Sequence, residues 1–337
     1  MDPICAIEIE VAKPHGYRAR WGAAFAQAPV AIYGGLTPET IDFARPLVAC
    51  AEHEALIPVS DLTRRWYFHL QPQAGTALTV GQRDIPLEGS TNLRDLGGYA
   101  THDGRRVRWG TLFRSGHLSR LTEQGLGGFG ALGVTTICDF RTSEEREGES
   151  AMLPNSPRIE TLGIAAGIND RFYLQRLFAS TDNPQVILYA VHELLRSFVI
   201  DYAPRYARMF DVLLGSNNGG ILLNCSAGKE RTGIGTALLL LALGVPRTTV
   251  RYDFMLSAKY YPMENEIERT LRKYSVKQPT RVDAVAMIMP LLETRESYID
   301  RVFAAIDETH GSDAAYLQRA SGLNQQQLER LRSRFLV

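Results

Sequence analysis

Ile221-Leu222-Leu223-Asn224-Cys225-Ser226-Ala227-Gly228-Lys229-Glu230-Arg231-Thr232-Gly233 is the stretch that organises the chain. An apolar run enters a loop containing glycine, and a long apolar segment, Ile234 to Val245, leaves it. A short buried strand, a glycine-containing loop and a helix N-terminus together bind phosphate. The loop N–H groups converge, and the helix dipole adds positive potential. Here the loop begins with a thiol and places a guanidinium six residues on. Of the cysteines Cys5, Cys50, Cys138 and Cys225, only Cys225 has an arginine at that spacing.

Upstream, helix-like and strand-like segments alternate. Val134 to Phe140 is a β-branched strand, followed by Arg141-Thr142-Ser143, where Thr142 or Ser143 caps a new helix. Thr122 caps an earlier helix, with Glu123 at its positive end and Gly127 and Gly128 weakening it. A helical segment through Leu213 and a turn from Gly215 to Gly220 precede the Ile221 strand. Such alternation predicts an α/β fold with a mostly parallel sheet covered on both faces, and ligands at the carboxyl ends of its strands. Ala165 to Pro184 shows little periodicity and reads as a long loop, either an active-site lid or a surface excursion. Beyond the central loop the pattern is helical to the end. Tyr298, Ile299, Val302, Phe303 and Ile306 form an apolar stripe that stops at Gly311, and Asn324 to Gln327 has the form of a capping box.

Residues 1–86 read differently. Ile7, Ile9 and Val11 alternate with Glu8 and Glu10, and Trp66, Phe68 and Leu70 alternate with Tyr67 and His69. Turn residues separate further β-prone runs, Val30 to Tyr33 and Thr76 to Val80, with Ala44 to Glu54 as a possible helical interruption. This predicts a small all-β, sandwich-like domain of unknown role. His15, His53 and His69 are not at metal-ligand spacing. Pro86 to Ser90 reads as a linker, giving domains 1–86 and 87–337.

Lys+Arg and Asp+Glu number 37 each in the 337 residues, so net charge does not argue for nucleic acid or an anionic membrane. Any anion site is therefore a local arrangement. Four scattered cysteines make no disulfide framework and no C-x-x-C pair, which fits a reducing compartment. The N-terminus lacks the pattern of a signal peptide, and Ala237 to Val245 is too short to span a membrane. The expectation is a cytoplasmic protein without a transmembrane segment.

The residue types fit one chemistry. A free thiol titrates at about 8.5, and converging N–H groups at a helix N-terminus favour its anion. The same N–H groups, from Ser226 through Thr232, can cradle phosphoryl oxygens. Arg231 supplies a planar fork that lysine cannot reproduce. Thr232 or Ser226 can hydrogen-bond a departing thiolate, and Lys229 adds charge suited to a second phosphate or a lipid headgroup. A carboxylate must protonate the leaving oxygen. Asp139, at a strand end on the same sheet edge, and Glu230, inside the loop, are equal candidates, and Asp170 lies on the possible lid. The alternative for Asp139 is a structural partner for Arg114 or Arg141.

With these residues in view, Cys225 to Arg231 resembles the signature of the cysteine-dependent protein tyrosine/dual-specificity phosphatases. The longer form resembles the bacterial tyrosine/lipid phosphatase branch, whose loop reads His-Cys-x-Ala-Gly-Lys-Asp-Arg-Thr-Gly. Asn92 to Gly98, Leu112 to Ser115 and Asp139 to Thr142 resemble further stations of that branch. The likeness runs from about residue 87 to the C-terminus. It implies phosphomonoester hydrolysis through a phosphocysteine intermediate, with no metal or cofactor. The substrate is then a phosphorylated protein, a phospholipid or a small phosphate ester. Two positions depart from the pattern: Asn224 stands where the branch has His, and Glu230 where it has Asp. Asn224 motivates an alternative, a module that holds a phosphorylated partner without turning it over. Another is an inositol-phosphate phosphatase, expected to show a deep cleft rimmed by Lys229 and several arginines.

Overall fold

The computed structural model describes residues 2–26, 29–50, 52–151, 153–164, 171–216, 219–276 and 280–337. The N-terminal strands are β1 (Ile7–Ala12), β2 (Gly16–Trp21), β3 (Val30–Gly35), β4 (Val48–Cys50), β5 (Glu54–Pro58), β6 (Tyr67–Pro72) and β7 (Leu78–Gly81). They form two antiparallel sheets, ordered β1-β2-β5 and β4-β3-β6-β7. Tyr17 of the first meets Phe68 of the second edge-on, with ring centroids 5.2 Å apart. The stretch from Ala44 to Glu54 is not helical. It carries β4 and the start of β5, because Pro46 lacks the amide a helix needs and Val48 favours the extended chain.

The second half continues with β8 (Arg94–Asp95), β9 (Leu112–Ser115), α1 (Glu123–Ala131), β10 (Val134–Asp139), α2 (Ser143–Gly148), β11 (Arg158–Thr161), α3 (Arg171–Ser180), α4 (Pro184–Ile200), α5 (Ala203–Gly215), β12 (Gly220–Asn224) and α6 (Glu230–Leu243). Seven more helices follow: α7 (Arg247–Met255), α8 (Ser257–Tyr260), α9 (Met263–Tyr274), α10 (Arg281–Leu292), α11 (Glu296–His310), α12 (Asp313–Arg319) and α13 (Gln325–Phe335). The sheet runs β11-β10-β12-β9-β8, parallel except at the short β8 edge.

β12 is central, and all five of its residues are buried. Its side chains alternate between two cores, as a strand covered on both faces requires. Ile221 and Leu223 join Leu112, Cys138 and Phe140 on one face, while Leu222 joins Phe113, Phe129 and Ile137 on the other. α6 is buried on nearly every side, so it is the central helix of its layer and not an amphipathic cover. Thr122 and Thr142 cap α1 and α2, Gly311 ends α11 with φ +77°, and Asn324 forms a capping box with Gln327.

The segment read as a loop between Ala165 and Pro184 contains α3. Leu174 and Phe178, four residues apart, supply its buried face, and Phe178 packs on Tyr274 of α9 at 5.9 Å. Residues 165–170, including Asp170, lie outside the described residues. No helix among the described residues is long and apolar enough to cross a membrane.

Candidate active site

β12 ends at Asn224 and α6 begins at Glu230, so Cys225 to Lys229 form the turn between a strand end and a helix N-terminus. The Gly228 N–H donates to Cys225 Sγ at 3.2 Å. Gly228 has φ +70°, and a Cβ there would lie 2.5 Å from the Gly116 nitrogen and the Ser115 carbonyl carbon. Glycine alone meets both constraints.

The loop carbonyls are tied outward one by one. Ser226 O accepts from the His117 N–H at 2.9 Å. Asn92 Nδ2 donates to Gly228 O at 2.9 Å and Ala227 O at 3.4 Å. Arg114 Nη2 donates to Gly228 O at 2.8 Å and Lys229 O at 3.4 Å. In a trans peptide unit the carbonyl and the following N–H point in opposite directions. Anchoring these four carbonyls outside the turn therefore aims the next four N–H groups at its inner side, where Cys225 lies. The result is an anion nest built by its outer partners.

Those partners form a buried network, in which Arg114 Nε has no hydrogen-bond partner among the described residues. Asp253 of α7 receives Arg94 Nε at 3.2 Å, Arg114 Nη1 at 2.6 Å and Tyr99 OH at 3.1 Å. Arg94 Nη1 also donates to Asn92 Oδ1, and Ser257 Oγ of α8 lies 3.2 Å from both Asn92 Nδ2 and Arg94 Nη2. Arg94 and Arg114 are fully buried. Burial alone would raise the Asp253 carboxyl, but the two guanidinium groups hold it well below the usual carboxylate range. Burial, then the neighbouring Arg94 charge, pushes the Arg114 guanidinium down to about 10. A buried charge cluster of this kind persists only when every member is paired.

On the inner side, Glu145 holds Arg231. Nη1 and Nη2 of Arg231 donate to the two Glu145 carboxylate oxygens at 2.7 and 2.8 Å, and Ser226 Oγ donates to Glu145 Oε1 at 2.7 Å. Arg231 Nη1 also lies 3.4 Å from the carbonyls of Phe140 and Ile164. Its Nε takes no partner among the described residues, which leaves the Nε edge of the fork for an anion. Glu145 is fixed by its own helix, since its Oε2 accepts the Thr142 N–H at 2.9 Å in the α2 capping box. Burial opposes ionisation of Glu145, yet the Arg231 hydrogen bond holds its carboxyl well below the usual range. Arg231 is likewise held above its ordinary value by Glu145, against burial.

Other residues expected at the site are placed elsewhere. Lys229 turns away from the cradle: its buried Nζ donates to the carbonyls of Leu291, Leu292 and Glu293 at the end of α10, at 2.9, 2.6 and 3.2 Å. It also lies over the Tyr261 ring at 4.8 Å and pairs with Glu230 at 3.3 Å. Asp139 sits beside Asn224 in the β10–β12 register, on the expected sheet edge. Its carboxylate receives Arg141 Nη2 at 2.8 Å and Nε at 3.1 Å, the structural partnership held open as its alternative. Asp139 and Asn224 line a cavity of about 170 Å³ on the face that carries Ile137. Asn224 Oδ1 and Thr232 Oγ1 are buried without hydrogen-bond partners among the described residues. Among the described residues, no group of three or more His, Cys, Asp or Glu is placed to hold a metal.

Sequence reasoning passed over Glu145 and Asp253. Both left a signal. Thr142-x-x-Glu145 is a capping-box pattern, and Asp253 is a charge on the otherwise apolar α7 face of Val250 and Phe254.

The sequence model of the tyrosine phosphatase family matches residues 85–337. A protein of Cupriavidus necator named as a tyrosine-protein phosphatase is 32% identical over 262 residues, 76% of this chain and 91% of that protein. A tyrosine-protein phosphatase of Nostoc commune is 28% identical over 147 residues, 44% of this chain and 48% of its own length. The triple specificity protein phosphatase PtpB of Mycobacterium tuberculosis is 27% identical over 277 residues, 74% of this chain and 97% of that protein.

Proposed function

The chain belongs to the tyrosine phosphatase family, and from that premise we propose how its residues perform phosphomonoester hydrolysis. The enzyme is a phosphatase of the tyrosine/dual-specificity class. Cys225 Sγ attacks phosphorus as the thiolate, forming an S–P bond while the ester P–O bond breaks. N–H groups of the turn and the Nε edge of Arg231 take the equatorial oxygens. A carboxylic acid gives its proton to the leaving oxygen. Water then attacks phosphorus, the S–P bond breaks, the carboxylate takes the water proton, and phosphate leaves.

Glu230 is our assignment for the proton-transfer carboxylate. It stands at the first turn of α6 inside the loop, is half-buried, and among the described residues has a single ion pair, with Lys229. Asp139 is engaged by Arg141, and Glu145 is held ionised by Arg231. Thr232 is our hydroxyl donor to the departing thiolate, because its Oγ1 has no partner among the described residues whereas the Ser226 hydroxyl is given to Glu145.

Phosphotyrosine in a protein is the substrate class we favour. Cys225 is only 2% exposed, so a long, flat phosphoester reaches it better than a short phosphoserine arm. Lys229, committed to the end of α10, gives no support to a second phosphate. We divide the chain into an N-terminal β unit, 1–86, and a catalytic unit, 87–337. We take the cytoplasm as its compartment, consistent with free thiols at Cys5, Cys138 and Cys225.

The observation that carries this reading is the Gly228 N–H aimed at Cys225 Sγ from a turn whose Ser226 to Lys229 carbonyls are held by outer partners. The test is turnover of p-nitrophenyl phosphate. Cys225→Ser is expected to lower kcat by at least about three orders of magnitude. Retained turnover in that variant would remove Cys225 as nucleophile.

A further inference from the structure

A cavity of about 690 Å³ lies between the N-terminal sheets and helices α7 and α8, and no residue of the 225–231 turn lines it. That volume is in the range of small-molecule sites. Its wall combines aromatic rings, from Trp21, Trp109, Tyr252 and Tyr260, with an excess of carboxylates over cations, in a chain that is neutral as a whole.

The cations of the wall are already committed. Arg20 pairs with Glu10 at 2.9 Å and Glu54 at 2.8 Å, and Lys259 pairs with Glu8. Arg83 donates to the carbonyls of Asp95 and Gly97 at 2.8 and 2.9 Å. Asp84 is different: its carboxylate has neither a hydrogen bond nor an ion pair among the described residues, and the charges it senses are those of Arg94 and Lys259. Burial pushes this carboxyl up to about 6 even against those two cations, as expected of an acid that lacks a close partner. The rings of this wall also accept positive charge. Arg83 lies 4.9 Å from the Trp109 ring and Lys259 lies 5.5 Å from the Tyr260 ring.

We propose that this cavity binds a small organic cation, an amine or guanidine with a flat apolar body, with Asp84 as counterion and Trp21 and Trp109 against the body. An amine brings the charge that Asp84 lacks, and the aromatic wall removes the rest of the molecule from water. An anionic ligand would meet carboxylates whose cations are already engaged. The occupant would also touch α8, where Lys259 and Tyr260 line the cavity together with the preceding Leu256, while Ser257 faces Asn92 and Arg94, the outer partners of the catalytic turn.

Two of the three tryptophans in the chain line the cavity, so intrinsic fluorescence of the full-length protein reads binding directly. The probes are 2-phenylethylamine and its uncharged counterpart 2-phenylethanol. The amine is expected to give a saturable change, with the alcohol at least about tenfold weaker. Asp84→Asn, checked for a wild-type unfolding temperature, is expected to lose about the same factor. Should Asp84→Asn unfold, the amine–alcohol difference in wild-type protein decides alone. No saturable change with the amine, equal binding by the alcohol, or full binding by a folded Asp84→Asn would each overturn the proposal. The readout is binding in the absence of substrate, so it stands apart from the hydrolysis reading, and Cys225→Ser is expected to bind the amine as wild type does.

Discussion

Two clusters of arginine and carboxylate flank the turn at Cys225. On the outer side, Asp253 joins Arg94 and Arg114 with all three side chains out of water, and every interaction runs to another part of the protein. On the inner side, Glu145 and Arg231 form one bidentate pair that water partly reaches, with a 25% exposed Glu145 side chain, and one edge of the guanidinium stays open. The chemistry of the groups is the same, yet the consequences differ. A buried cluster fixes backbone, here the carbonyls of the turn. A half-open pair orients a charge and leaves it able to take a ligand. The outer side should therefore govern stability, and the inner side substrate binding.

The largest expected effect tests the outer side. Asp253→Ala leaves two buried guanidinium groups without their carboxylate, and unfolding by urea is expected to show a loss of about 3–5 kcal/mol. A loss under about 1 kcal/mol would mean that the cluster does not hold the turn. Acid unfolding separates the two sides further. The folded-state carboxyls of Asp253 and Glu145 lie below their ordinary values of 3.8 and 4.5. Their contribution to stability is thus complete above about pH 5 and is lost as pH falls towards the folded-state values. Asp253→Asn, if it folds, is expected to flatten stability below pH 4 more than Glu145→Gln does. The opposite order in urea titrations at pH 3 and pH 6 would reverse the assignment.

Glu145→Gln itself is expected to shift catalysis more than stability. Gln keeps the shape but loses one charge-assisted bond, so unfolding should move by about 1 kcal/mol. KM for p-nitrophenyl phosphate should rise about tenfold as Arg231 loses its fixed orientation, with kcat less affected. A fall in KM would show instead that Glu145 competes with the substrate for Arg231. At the small end stands the exposed Lys259–Glu8 pair, where Lys259→Ala is expected to cost under about 1 kcal/mol.

How much of this was legible in the sequence follows from the range of the interactions. The strand, turn and helix at Cys225 depend on neighbours within a few residues, and their pattern was readable, as were the Thr142 cap and the alternation at Ile7, Ile9 and Val11. Asp139 reached the expected sheet edge because parallel strands bring their carboxyl ends to one edge. Its carboxylate went to Arg141 because that residue returns over the strand end two positions on. Glu145 and Asp253 meet their arginines across 86 and 139 residues, where no local period reports the contact. Lys229 was read as a phosphate ligand because the sequence does not show that the bare carbonyls ending α10 lie beside it. The α3 segment was missed because Leu174, Leu177 and Phe178 show helical spacing over a single turn only.

The central claim is that the turn presents Cys225 as a nucleophile to phosphorus. Acid quenching of the enzyme during turnover of ³²P-labelled phosphotyrosyl peptide, followed by peptide mapping, tests it most directly. Acid-stable label is expected on the peptide containing Cys225, and none in Cys225→Ser. Turnover without label on that peptide, or label that persists in Cys225→Ser, would contradict it.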